Sequence, residues 1–188
     1  MDKDIYLSKI RNPKSWFHYA NTQKMVADSI LKSMMHKKTI LGLKNGDNTF
    51  IDLWINAHYH YGIGLENGFK GLIVKNNPDE IFIEEVDGKV FLKGIGKRRN
   101  TSHNLVVLAE DAKIYDMNMF KYDTDIKSFK IVLQHLTDAI KWIPKYPVPL
   151  NNEAEFRFDN LIPSVLVYGF HILDVIDPVF VLFKKEET

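Results

Sequence analysis

Apolar residues recur at three- and four-residue steps over most of this chain, and that rhythm predicts helices. Asn12-Pro13 is a helix start, with Asn as the cap and Pro at the first helical position. From there to about Met35, positions Trp16, Ala20, Gln23, Ala27, Ile30 and Met34 share one face. The segment Gly42–Asn48 is loop-like, with Asn45-Gly46 as a turn signal. A second and longer helix is predicted over Thr49–Asn77, where Phe50, Leu53, Trp54, Ala57, Tyr61, Leu65, Phe69, Leu72 and Ile73 keep the helical period. Glycines at 62, 64, 68 and 71 each weaken such a helix by about 1 kcal/mol relative to alanine. Keeping them inside a long helix implies that something packs very close there.

After Pro78 the period changes. Ile81–Lys93 reads as two β-rich arms around Asp87-Gly88, a hairpin-turn dipeptide. A basic loop, Gly94–Asn100, follows, and Thr101 or Ser102 is positioned to cap a third helix reaching about Ala112. Asp123-Thr124-Asp125 caps a fourth, with Ile126, Phe129, Val132, Leu133, Leu136 and Ile140 on its apolar face. Pro144, Pro147 and Pro149 end it in an extended segment. A last helix is expected from near Asn160 to Asp177-Pro178, with Pro163 in its first turn. The apolar end, Val179–Phe183, suits either a short strand or a continuing turn. The fold class predicted is all-α, a bundle of about five helices with a β-hairpin insertion near 81–93, and residues 1–188 form a single domain.

Composition changes this picture little. The 188 residues are 45% hydrophobic and 26% charged with a net charge of +1, so the whole chain gives no electrostatic argument for nucleic acid. With no cysteine, disulfides, thiolate zinc sites and a cysteine nucleophile are excluded. No apolar run reaches the roughly 20 residues that span a bilayer, and Met1–Trp16 has no apolar leader core. The expected location is the cytoplasm, with no membrane association.

Three segments together resemble the HEPN superfamily of small helical bundles. Tyr59–Ile73 looks like the family's small-residue Glu-x3-Lys-x-Leu helix, with Glu66 and Lys70 in the motif positions. Thr101–Leu108 is similar to the family's Thr-His-Asp-Leu segment, and Leu136–Pro147 to the helix ending in Arg-Tyr-Pro, with Lys145 where Arg is usual, followed by Tyr146. The matching span runs from about Asn12 to Pro149, and the hairpin departs from the plain bundle. The resemblance implies an HEPN-like bundle that forms a homodimer, with RNA or a nucleotide as ligand. It also implies an antitoxin or nucleotidyltransferase partner in a bacterial defence or toxin–antitoxin setting.

Many such proteins are metal-independent endoribonucleases that use Arg-x4–6-His. Histidine moves the ribose 2′-hydroxyl proton near neutral pH, and arginine stabilises the phosphorane. The usual place near the last helix is empty, because no His follows Arg157 at that spacing. Two pairs fit elsewhere: Arg98 with His103, and Arg11 with His18. His103 equally suits a capping or core hydrogen bond. Lys97, Arg98, Arg99 and Asn100, with Lys93 nearby, form the dense basic stretch, either a solvated loop or an RNA phosphate contact. His58 and His60, two apart, point to different sides of a helix, so packing is expected of them and no metal site. Glu66–Lys70 is an i, i+4 ion pair, either exposed or fixing register within the bundle. No dinucleotide, Walker or nucleophile-elbow motif occurs, and no cofactor is expected. Three readings follow: a non-catalytic or accessory binding module, a metal-independent endoribonuclease, and a dimerising scaffold.

Overall fold

A computed structural model describes residues 2–41, 48–97, 103–117, 119–120, 123–141 and 168–188. Among them are six α-helices and one two-stranded antiparallel hairpin, so the chain is all-α with a hairpin insertion. In order they are α1 (Lys3–Arg11), α2 (Pro13–Leu41), α3 (Asn48–Asn76), β1 (Ile81–Val86), β2 (Lys89–Ile95), α4 (Leu105–Asp111), α5 (Asp123–Lys141) and α6 (Asp177–Glu187). A π-helical stretch, Tyr168–Ile176, leads directly into α6.

Helix α3 is the axis. It packs along α2 and also against α4, α5 and α6. Tyr61, Leu65, Phe69, Leu72 and Ile73 are buried, as their spacing predicts. The glycines of α3 are seats for neighbours. A Cβ on Gly68 would overlap the Phe183 ring of α6, and one on Gly62 would overlap Ile140 of α5 and approach the Leu136 carbonyl to 3.1 Å. These close approaches recover more than the weak propensity costs, because they admit a buried cluster of Phe17, Phe69, Phe129, Phe180 and Phe183.

The ends of the chain differ from expectation. Helix α1 has no counterpart among the predicted elements: its sequence is polar and only Ile10 is buried. Asp2 starts it by accepting from the Asp4 and Ile5 amides. The Trp16 indole donates to the Ile10 carbonyl at 2.8 Å and pins α1 to α2 across Asn12. At the other end Val179–Phe183 is neither strand nor turn but helix, with Val179, Phe180 and Phe183 in the core. Pro178 starts α6 rather than ending a helix, because the first turn has no donor to lose. The predicted start near Asn160 and Pro163, and Pro144–Pro149, lie outside the described residues.

The hairpin matches its turn signal. Asp87 and Gly88 both have positive φ, 51° and 71°, as a two-residue type I′ turn requires. Lys3 of α1 pairs with Glu85 at 2.7 Å, so the hairpin leans on the bundle through α1. Helix α4 is capped by Asn104, whose side chain accepts from the Val107 amide at 3.2 Å. Thr101 and Ser102, expected in that role, lie outside the described residues.

Candidate functional site

His58, Gly62, Glu66 and Lys70 follow one another at four-residue steps and so form one stripe along α3. The lower half of that stripe carries a charged cluster. Lys70 Nζ lies 2.5 Å from one oxygen of Glu66, and His103 Nδ1 lies 3.0 Å from the other. Glu66 is nearly sealed, its side chain 5% exposed, whereas the His103 side chain is 45% exposed. Burial alone would raise the Glu66 carboxyl. The charge and hydrogen bond of Lys70, with those of His103, outweigh it and hold the group below the usual carboxylate value.

An ionised carboxylate only accepts, so His103 donates its Nδ1 proton and a neutral ring keeps Nε2 as an acceptor. His103 makes no other hydrogen bond among the described residues. The arrangement is a carboxylate–histidine dyad with its second nitrogen available to a ligand. Backbone geometry fixes the ring as well. His103 has φ of 72°, a left-handed conformation immediately before the Asn104 cap, so the chain turns sharply into α4 and aims the imidazole back at α3.

The basic loop is anchored beside this dyad at its first residue. The Lys97 amide donates to Asp111 of α4 at 3.1 Å. Gly96 has φ of 97°, and a Cβ there would come within 2.6 Å of the same carboxylate, so only glycine fits. The Lys97 residue is exposed. Arg98, Arg99 and Asn100 lie outside the described residues, as do Lys145 and Tyr146. The structure therefore brings together Glu66, Lys70 and His103 and gives no distance from Arg98 to any of them.

Arg11 and His18 meet other surroundings. Arg11 ends α1 and is exposed. His18 spends Nδ1 on Glu187 of α6 at 2.8 Å, and Asn21 holds the other oxygen of that carboxylate. These two bonds, Asn21 first, keep Glu187 below its usual value. Arg11 has no side-chain partner among the described residues.

The upper half of the α3 stripe holds a second polar site. His58 Nδ1 and His135 Nε2 of α5 lie 3.0 Å apart, with both residues buried. His60, two residues on, instead meets Gln23 of α2 at 2.7 Å, so the two histidines do point to different helices. His135 escaped the sequence reading although it stands three residues after Val132 and four before Ala139, both buried. Tyr61 was read only as core, but its hydroxyl donates to Asp28 of α2 at 2.6 Å, and Asp28 also pairs with Lys24. Among the described residues no group of three or more histidine or acidic side chains is placed to hold a metal ion. None of the described helices is long and apolar enough to cross a membrane.

No protein-family model matches the chain, and neither does any curated protein or solved structure.

Proposed function

We propose that the chain is an HEPN-like module that binds RNA where His103, Lys70 and the basic loop converge. The observation that carries this reading is the Glu66 carboxylate. It joins Lys70, from the helix motif, to His103, from the Thr-Ser-His segment 37 residues away from it, and these are two of the three segments on which the resemblance rests. Lys70 and His103 supply donors at a partly open surface, and Lys97 begins the cationic stretch that runs towards His103. A phosphate would be positioned by such groups without sequence readout. The setting we infer is a bacterial defence or toxin–antitoxin system, acting in the cytoplasm as a homodimer or with an antitoxin or nucleotidyltransferase.

Salt-dependent RNA binding tests this. Lys97→Ala/Arg98→Ala/Arg99→Ala is expected to weaken single-stranded RNA binding about tenfold at low salt and to flatten the salt dependence. Binding that is absent in the parent protein, or unchanged in the variant, overturns the reading and leaves the dimerising scaffold.

One observation favours a second reading, a metal-independent endoribonuclease. His103 is held through Nδ1 by a buried carboxylate and keeps Nε2 for substrate, the arrangement a general base needs. In that reaction Nε2 takes the 2′-hydroxyl proton and the 2′-oxygen attacks phosphorus. The 5′-oxygen leaves with a proton, giving a 2′,3′-cyclic phosphate and a 5′-hydroxyl. Arg98 would stabilise the pentacoordinate phosphorus. Cleavage that survives EDTA, yields cyclic ends and disappears in His103→Ala supports this reading. Cleavage unchanged by that substitution removes His103 from it.

A further inference from the structure

We propose that the buried His58–His135 contact is an acid-operated latch, which holds α5 and the π-helical stretch Tyr168–Ile176 against α3 and releases them when it is protonated. This goes beyond the RNA-binding reading and does not depend on it.

The geometry requires neutrality. A single N–H···N bond of 3.0 Å needs one ring to donate and the other to accept. Two imidazolium rings can only donate, so double protonation would break the bond and leave two cations facing each other. The rings meet at 76° with centroids 4.9 Å apart, and the Trp54 ring meets His58 edge-on at 6.2 Å. His58 is 2% exposed and His135 7% exposed, so water does not reach in to solvate a charge.

Every charge that acts on the pair is itself a histidine. From α5, His135 faces His58; from the π-helical stretch, His171 acts on both; α3 itself contributes the uncharged Trp54. Asp138 and Asp174 lie three residues beyond His135 and His171, yet neither acts on the pair. His103 has Glu66 as a counter-ion; His58 and His135 have none. Burial first, then neighbouring histidines, push His58 well below the ordinary value and His135 down to about 4.

The sign follows by linkage. The unfolded or opened state takes up protons below the ordinary histidine value of 6.5, while the closed pair resists until about 4. Closure therefore weakens as pH falls from 6.5 towards 4. The place that yields first is the π-helical stretch: its wider hydrogen-bonded turns are rare in folded proteins, and it carries the third histidine. Local opening there requires less than global unfolding.

The test is native-state hydrogen exchange on the full chain at pH 7.5 and 5.0, corrected for intrinsic exchange. Opening of amides in 168–176 and in α5 around His135 is expected to rise at least about tenfold at the lower pH. In His135→Gln, which keeps a donor and an acceptor but cannot charge, the rise should fall to less than half. An equal rise in that variant, or none in the parent, overturns the proposal. If His135→Gln does not fold, the ring-proton NMR titration of the parent decides. Histidines 58 and 135 protonating near the ordinary value with no amide opening would overturn the latch, and resistance to below pH 5 with amide opening would support it.

Discussion

Helix α3 buries two polar sites on one stripe and does so in opposite ways. At Glu66 the buried group is ionised, and Lys70 and His103 neutralise it at a partly open surface. At His58 the buried group is neutral, its only polar contact of known length is another histidine, and the site is closed. The first site depends on charges that must remain charged; the second depends on groups that must not become so. Gly62 lies between them at the closest approach of α3 to α5. One helix pair therefore sets the geometry of both.

The largest expected effect separates the two sites directly. Glu66→Leu leaves the partly buried Lys70 without its counter-ion and should lower unfolding free energy by about 3–5 kcal/mol in urea titrations at pH 7. Replacing both histidines of the neutral site, His58→Leu with His135→Leu, should cost less than about 1 kcal/mol, since no partner is stranded. Equal losses would remove the distinction. Gly62→Val should cost about 3 kcal/mol by overpacking against Ile140 and Leu136, and it should disturb the ring-proton shifts of His58 and His103 together. Disturbance of only one histidine would show that the sites do not share a hinge.

Acid should dissect the comparison further. The lowered histidines weaken folding as pH falls from 6.5 towards 4. The depressed Glu66 instead contributes stability that is present above its ordinary value of 4.5 and is lost as pH falls through its lower folded value. Acid unfolding should thus proceed in two stages, with His135→Gln abolishing the first and Glu66→Gln the second. A single stage affected equally by both would merge the sites. The smallest effect belongs to the cap that supports His103. Asn104→Ala should cost about 1 kcal/mol in thermal or urea unfolding and loosen the His103 ring without touching His58.

How much of this was legible in the sequence depends on distance along the chain. Helix α3 and the hairpin were readable because a 3.6-residue period and the Asp87-Gly88 dipeptide are local signals. Glu66–Lys70 was readable for the same reason, as a pair one turn apart. That Glu66 is sealed, and that His103 takes its second oxygen, follows only when α4 packs on α3. The His58–His135 contact spans 77 residues, and each member looked like an ordinary helical polar residue on its own. Helix α1 was illegible because only Ile10 is buried, and its stability comes from the Asp2 cap, the Trp16 bond and the Lys3–Glu85 pair. The five residues Val179–Phe183 are apolar throughout, a pattern that does not distinguish strand from helix until Gly64 and Gly68 are seen to receive Phe180 and Phe183.

Those glycine seats carry a consequence for the order of assembly. A 29-residue segment with four glycines is a poor autonomous helix, so α3 excised as a peptide would be largely unstructured. The central element of the bundle cannot be a preformed template on which later helices dock. It gains its shape only as the phenylalanines of α2 and α6 arrive, from opposite ends of the chain. Those contacts join residues more than a hundred positions apart, so collapse must bring the C-terminal helix back before the middle of the protein becomes ordered. A ribosome-bound chain lacking α6 should therefore leave α3 open to proteases, and protection should appear only when Phe183 has emerged.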